Sequence, residues 1–144
     1  MIGRPGAGAL PAELTAKGET LLSRGKRRVT LNLKREEDRA QALDLIAQSD
    51  GLIEGNRPGV MERLGLGPDA CGKRNPRLVY GRMTGWGQHG PLAHAAGHDM
   101  NYVALTGVMS LTERPGHPPM VPPTVVGDAA GALGFAFGMV SALL

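Results

Sequence analysis

Apolar and polar positions along this chain repeat with two different periods, and the switches between them mark its elements. Val29, Leu31 and Leu33 stand at every second position with Thr30 and Asn32 between them, which predicts a short strand over 29–33. Glu36, Glu37 and Asp38 follow, acids that suit the positive end of a helix macrodipole. Ala40, Leu43, Ile46 and Ala47 then fall at helical spacing, so a helix is expected to end near Ser49. Gly51 breaks it, and Leu52 and Ile53 begin a second strand. The turn Gly55-Asn56-Arg57-Pro58-Gly59 leads into a brief helix over 60–64, and another short helix runs from Asp69 towards Arg74. Leu78-Val79-Tyr80 is a third strand. A Gly-rich loop over 85–90 leads to a helix beginning near Asp99. Beyond the prolines 115, 118, 119, 122 and 123, a last helix is expected from Asp128 or just after it. Residues 1–23 hold several Gly and Pro with little periodicity and read as loop.

Strands alternating with helices argue for the α/β class, a parallel sheet with crossover connections. No internal repeat and no second domain is visible. Three strands make a thin sheet, which suggests that part of the domain lies outside this sequence.

Composition sharpens the picture in two places. With 22 Gly, 11 Pro and only 3% aromatic residues in 144, large core anchors are scarce, so helices are expected to pack closely through small residues. The single cysteine, Cys71, excludes an internal disulfide and suits a reducing, cytoplasmic compartment. No compact apolar run at the amino end marks a signal peptide. The uncharged stretch 129–144 is shorter than a membrane span needs and rich in Gly and Ala, so it is expected to be a buried helix. The net charge of +3 gathers in Lys17, Arg24, Lys26, Arg27, Arg28, Lys34 and Arg35, a cluster open to water, an anionic cofactor or nucleic acid. It has no interleaved aromatics of the kind that stack single-stranded bases, which argues against nucleic acid.

Two places carry candidate chemistry. His98 follows Gly97 just before one expected helix, and Asp128 follows Gly127 just before another. Unpaired N–H groups and the helix dipole make such positions suited to anions, including an enolate oxygen. An imidazole and a carboxylate on opposite sides of an acidic carbon would form a two-base pair for proton exchange. Plain capping explains the same residues, with Asp128 as one N-cap and Asp99 as the other. His89, His94 and His98 lack a further ligand at any known metal spacing, so no metal site is expected. The loop around Trp86 has neither G-x-G-x-x-G nor a P-loop lysine and is no nucleotide fingerprint.

The string Gly97-His98-Asp99-Met100-Asn101-Tyr102 closely resembles the signature of α-methylacyl-CoA racemases, in the class III CoA-transferase superfamily. Arg57-Pro58-Gly59-Val60-Met61-Glu62-Arg63-Leu64-Gly65-Leu66-Gly67-Pro68 is similar to that family's CoA-side loop and helix. Asn75-Pro76-Arg77-Leu78-Val79-Tyr80, Arg82-Met83-Thr84-Gly85-Trp86-Gly87-Gln88 and Val126-Gly127-Asp128 match its next segments.

The resemblance implies His98 and Asp128 as the two catalytic bases, acting on 2-methylacyl-CoA without metal or redox cofactor. It implies that Arg57 and Arg63 sit near the CoA moiety and that Leu31, Asn32, Leu33 and Lys34 line the adenosine part. It gives Gly97, Asp99, Met100, Asn101 and Tyr102 the thioester region, and Arg4 a reach to the CoA phosphates. A histidine at position 98 points to racemisation; in the related CoA-transferases the matching aspartate is a nucleophile. The fold implied is an incomplete Rossmann-like large domain: a loop-rich segment over 1–24, then a partial CoA-binding domain over 25–144. An opening strand and helix are expected before Met1, and a glutamate partner of the histidine and a small domain after Leu144. The chain would then be an internal piece, weak or inactive alone, of an enzyme that forms an interlocked homodimer and engages neither membrane nor nucleic acid.

Overall fold

The computed structural model describes residues 1–3 and 24–144. Arg4, and with it the proposed phosphate contact, lies outside the described residues, as do residues 4–23 of the expected loop.

Every described strand pairing within a sheet is parallel. Ile2–Gly3 (β1) pairs with Val29–Thr30 (β2), and Gly51–Glu54 (β3) pairs with Val79–Arg82 (β4) in the register Gly51 to Val79 through Glu54 to Arg82. Among the described residues this makes two two-stranded sheets, where the sequence suggested a single three-stranded one. β1 falls where a loop was expected. It has only two residues and no alternation to reveal it, and it exists because the Val29 and Leu31 N–H groups donate to the Met1 and Gly3 carbonyls at 3.0 and 2.9 Å. β2 is shorter than the expected 29–33, because Asp38 Oδ2 accepts the Asn32 N–H at 2.7 Å and turns the chain into the next helix. β4 runs two residues past the expected Tyr80, and Arg82 pairs with the last residue of β3.

The helices follow from local chemistry. Glu36–Ala47 (α1) carries three acids in its first turn and buries Ala42 and Ile46. At its far end Asn75 Nδ2 donates to the Ser49 carbonyl at 2.8 Å, so the turn before β4 satisfies the exit from α1. Gly59, at φ 81°, supplies the left-handed entry to Val60–Arg63 (α2). Pro68–Arg74 (α3) opens on a proline, whose missing N–H is no loss at that position. Asp99–Leu105 (α4), a 3-10 turn over Val108–Thr112, and Val126–Leu143 (α5) complete the chain.

The core gathers Leu31, Ala42, Ile46, Met61, Leu66 and Cys71, with Val29, Leu33, Leu52, Leu78 and Tyr80 against it. Tyr80 spans it and donates its hydroxyl to the Leu66 carbonyl at 2.8 Å, and Cys71 Sγ donates to the same oxygen at 3.2 Å. Burial pushes the Cys71 thiol up and keeps it protonated, so it is no nucleophile.

The last helix departs from expectation in two ways. It begins at Val126 with Val125 as its N-cap, so Asp128 is the third helical residue and not the cap. It has no buried residue, although a buried helix was expected. One side rests on α4 and on β4, where Phe135 and Met139 lie over Gly81. The other side exposes Leu133, Phe137 and Val140, with no described element against it. By length and composition this 18-residue helix could also cross a membrane, a test that core helices of soluble proteins pass as well.

Candidate active site

β3 and β4 run in the same direction, and the chain leaves both at one end of their sheet. Beyond it lies an open cleft of about 200 Å3, at the carboxyl edge where parallel α/β sheets usually bind ligands. Gly55, Asn56, Arg57 and Pro58, from the turn after β3, form one wall. Thr84 to Trp86, Ala93 and Ala95 to His98, from the long loop after β4, form the other.

His98 stands at the N-cap position of α4 in extended conformation. Its backbone N–H donates to Asn101 Oδ1 at 2.9 Å, and the Asn101 N–H donates to the His98 carbonyl at 2.8 Å. Asn101 therefore caps α4 and leaves the exposed imidazole for the cleft. Gly97 is needed beside it, since a Cβ there would come within 2.4 Å of Trp86 Nε1. That indole donates to the Ala96 carbonyl at 3.4 Å and meets the Tyr102 ring edge-on, centroids 5.7 Å apart and planes at 81°.

Asp128 is not among the residues lining the cleft; it belongs to a network joined to it through Tyr102. The Tyr102 hydroxyl donates to Asp128 Oδ1 in a short hydrogen bond. The buried Asp99 accepts the Asp128 N–H on its own Oδ1 at 2.8 Å. Asp99 was expected to cap its own helix; it caps the neighbouring one, because α4 and α5 cross closely over Gly127. The hydrogen bond to Asp128, with a smaller contribution from burial, pushes the Tyr102 phenol up to about 12. Tyr102 thus stays a donor, and Asp128 keeps a fixed orientation with its exposed side towards solvent.

The other expected site residues divide. Arg57, Gly97 and His98 meet in the cleft, and Asp99, Tyr102 and Asp128 meet in the adjoining network. Arg63 is exposed on α2 beside Gly59, and Met100 is exposed on α4. Leu31 is in the core at 3% exposure, and the half-buried Leu33 packs against it. Asn32 Oδ1 accepts the Lys34 N–H at 3.2 Å, and only Lys34 of that stretch is exposed. Asn56 and Trp86 also line the cleft, although no site role was expected of either. The one signal available for Trp86 was that the single tryptophan stands in a Gly-rich loop.

Fold and cleft together define a parallel α/β chain with a cationic side chain, an imidazole and an oriented carboxylate gathered past the strand ends. The family described as CoA-transferase family III matches residues 16–144, and the chain belongs to it. Over 123 residues it is 46% identical to the human alpha-methylacyl-CoA racemase, covering 85% of this chain and 32% of that protein. Over 125 residues it is 42% identical to the acetyl-CoA:oxalate CoA-transferase of Acetobacter aceti, covering 86% and 32%. The orthorhombic crystal structure of Rv3272 from Mycobacterium tuberculosis superposes with a TM-score of 0.82 at 33% identity, over 99% of this chain and 42% of that one. The chain therefore spans about a third of the length of the curated relatives it matches, and these relatives include both a racemase and a CoA-transferase.

Proposed function

We propose that this chain carries the proton-transfer centre of an α-methylacyl-CoA racemase. The observation that carries the reading is the histidine at the α4 N-cap, in a cleft with Arg57, with an adjoining network in which Tyr102 bonds the Asp128 carboxylate and Asp99 accepts the Asp128 backbone N–H. In this reading Arg57 and Arg63 face the phosphates of a CoA thioester. One base removes the α-proton, leaving an enolate whose oxygen the free N–H groups at the start of α4 stabilise. The conjugate acid of the other base returns a proton to the opposite face, so configuration inverts and no atom is gained or lost. This chemistry asks for no metal or redox cofactor. We further propose that the whole enzyme is a cytoplasmic homodimer.

A second reading has support of its own. The carboxylate of Asp128 is exposed and bonded at one oxygen, which leaves the other free to attack an acyl-CoA as a CoA-transferase nucleophile. A third, a CoA-binding remnant without turnover, follows if the chain works only with parts found in longer relatives.

Incubating the purified chain with a 2-methylacyl-CoA in deuterated water, followed by NMR, separates them. Deuterium at the α-carbon, lost in His98→Ala and in Asp128→Asn, is expected for the racemase. Transfer of CoA to a second carboxylic acid without α-exchange means the transferase. Binding with neither reaction means the remnant.

A further inference from the structure

The two strand ends that frame the cleft share a buried polar cluster that proton transfer does not use. Glu54 ends β3 and Arg82 ends β4 directly opposite in the register, and both side chains are largely buried, 7% and 18% exposed. The Arg82 guanidinium reaches outward in several directions. Nη2 bonds Glu62 on α2, and Nη1 donates to Gln88 Oε1 at 2.8 Å. Nε lies 3.5 Å from Glu54 Oε1, an ion-pair distance that leaves this buried N–H without a hydrogen-bond acceptor among the described residues. The Tyr80 ring lies beneath, 5.4 Å from the guanidinium carbon to its centroid. Glu54 Oε2 in turn accepts the Asn56 N–H at 2.6 Å.

These contacts lead to both walls. Asn56 and Arg57 belong to the wall after β3, and Gln88 belongs to the loop that forms the wall after β4. Stability is a weak reason for such an arrangement, because a buried ion pair is often no better than well-packed apolar side chains. Geometry is a stronger one: the planar fork can hold several acceptors at fixed angles, which a lysine cannot do.

We propose that Arg82 is a positioning residue that fastens both walls of the cleft and sets the place of Arg57 and of the Trp86 loop for a CoA thioester. This rests on the reading of the cleft as a CoA site.

The test uses Arg82→Lys and Gln88→Ala in the full chain, with acetyl-CoA as the probe. Gln88→Ala cuts the tie to one loop without stranding a buried charge, so it carries the test if Arg82→Lys does not fold. Both variants are expected to keep their circular dichroism while acetyl-CoA affinity falls about tenfold, the scale of one charge-assisted hydrogen bond. Acrylamide quenching of Trp86, the single tryptophan, is expected to rise as its loop loosens. Variants that melt earlier yet bind acetyl-CoA as tightly, with unchanged quenching, would show Arg82 to be purely structural and overturn the inference. If the unsubstituted chain binds no acetyl-CoA, the CoA reading itself falls and the inference with it, a result distinct from variants that differ in nothing but melting temperature.

Discussion

Tyr102 links the two halves of the site, and its chemistry can be isolated from everything around it. The phenol donates to Asp128, and ionising it would place two negative charges side by side, which is why it is pushed up to about 12. Tyr80, the other of the chain's two tyrosines, also rises to about 12, chiefly because it is buried against the core. A titration followed at the phenolate absorbance is therefore expected to show almost no ionised tyrosine at pH about 10, the ordinary midpoint of a free phenol. In Asp128→Asn one of the two midpoints falls towards that value and the other stays. Two unmoved midpoints would mean that Tyr102 does not bond to Asp128. This link could not be read from sequence, because 26 positions separate the partners and nothing in either segment signals the other. His98, in contrast, was legible as a helix-start residue, since glycine, histidine and acid before a periodic stretch are a local pattern.

At the level of elements, the contact between α4 and α5 depends on a glycine. A Cβ at Gly127 would lie 2.9 Å from Val103 Cγ2 and 3.0 Å from both Asp99 Oδ1 and Tyr102 Cδ2. Gly127→Ala is therefore expected to cost about 1–3 kcal/mol by overpacking. It would also loosen the bond from Asp99 to the Asp128 N–H. Gly134→Ala on the same helix meets nothing within 4 Å and is expected to stabilise by about 0.5–1 kcal/mol, the usual gain of alanine over glycine inside a helix. Chemical denaturation of the two variants checks the contrast, and equal effects would contradict the close crossing. The helices themselves were well marked in the sequence, α1 by acids followed by 3.6-residue spacing, and α3 was expected from Asp69, one residue after the Pro68 that opens it. Their ends were less so. α5 starts two residues early because Asp99, an acceptor on another helix, takes the Asp128 N–H and frees that carboxylate from capping duty. The strands were marked only where a neighbour of similar length exists; β1 is formed by its partner and by little in its own residues.

Across the whole molecule, residues of both sheets line a gap of about 690 Å3, Met1 and Ile2 from one and Gly51 to Glu54 from the other, with Gly55 just after. No periodicity could have shown that gap, because it is a property of how separate pieces of the chain meet. The polar and apolar parts of the core meet at Tyr80, and at Tyr102 the site is tied to the helices, so the two phenols report on the fold as a unit. Their raised values give a definite sign. Below pH about 10 both are protonated whether the chain is folded or not, and they add no pH dependence. Between about 10 and about 12 the unfolded chain releases these protons while the folded chain keeps them, so stability falls as pH rises through that window. Lysines titrate nearby, so the informative quantity is a difference between variants. Urea midpoints of the unsubstituted chain and of Tyr102→Phe, measured on either side of pH about 11, are expected to fall more steeply for the former. The phenylalanine variant starts lower, having lost the bond to Asp128, and then loses less. Parallel lines would mean that the Tyr102 proton is held no more tightly in the fold than out of it, and the oriented carboxylate on which both catalytic readings depend would lose its support.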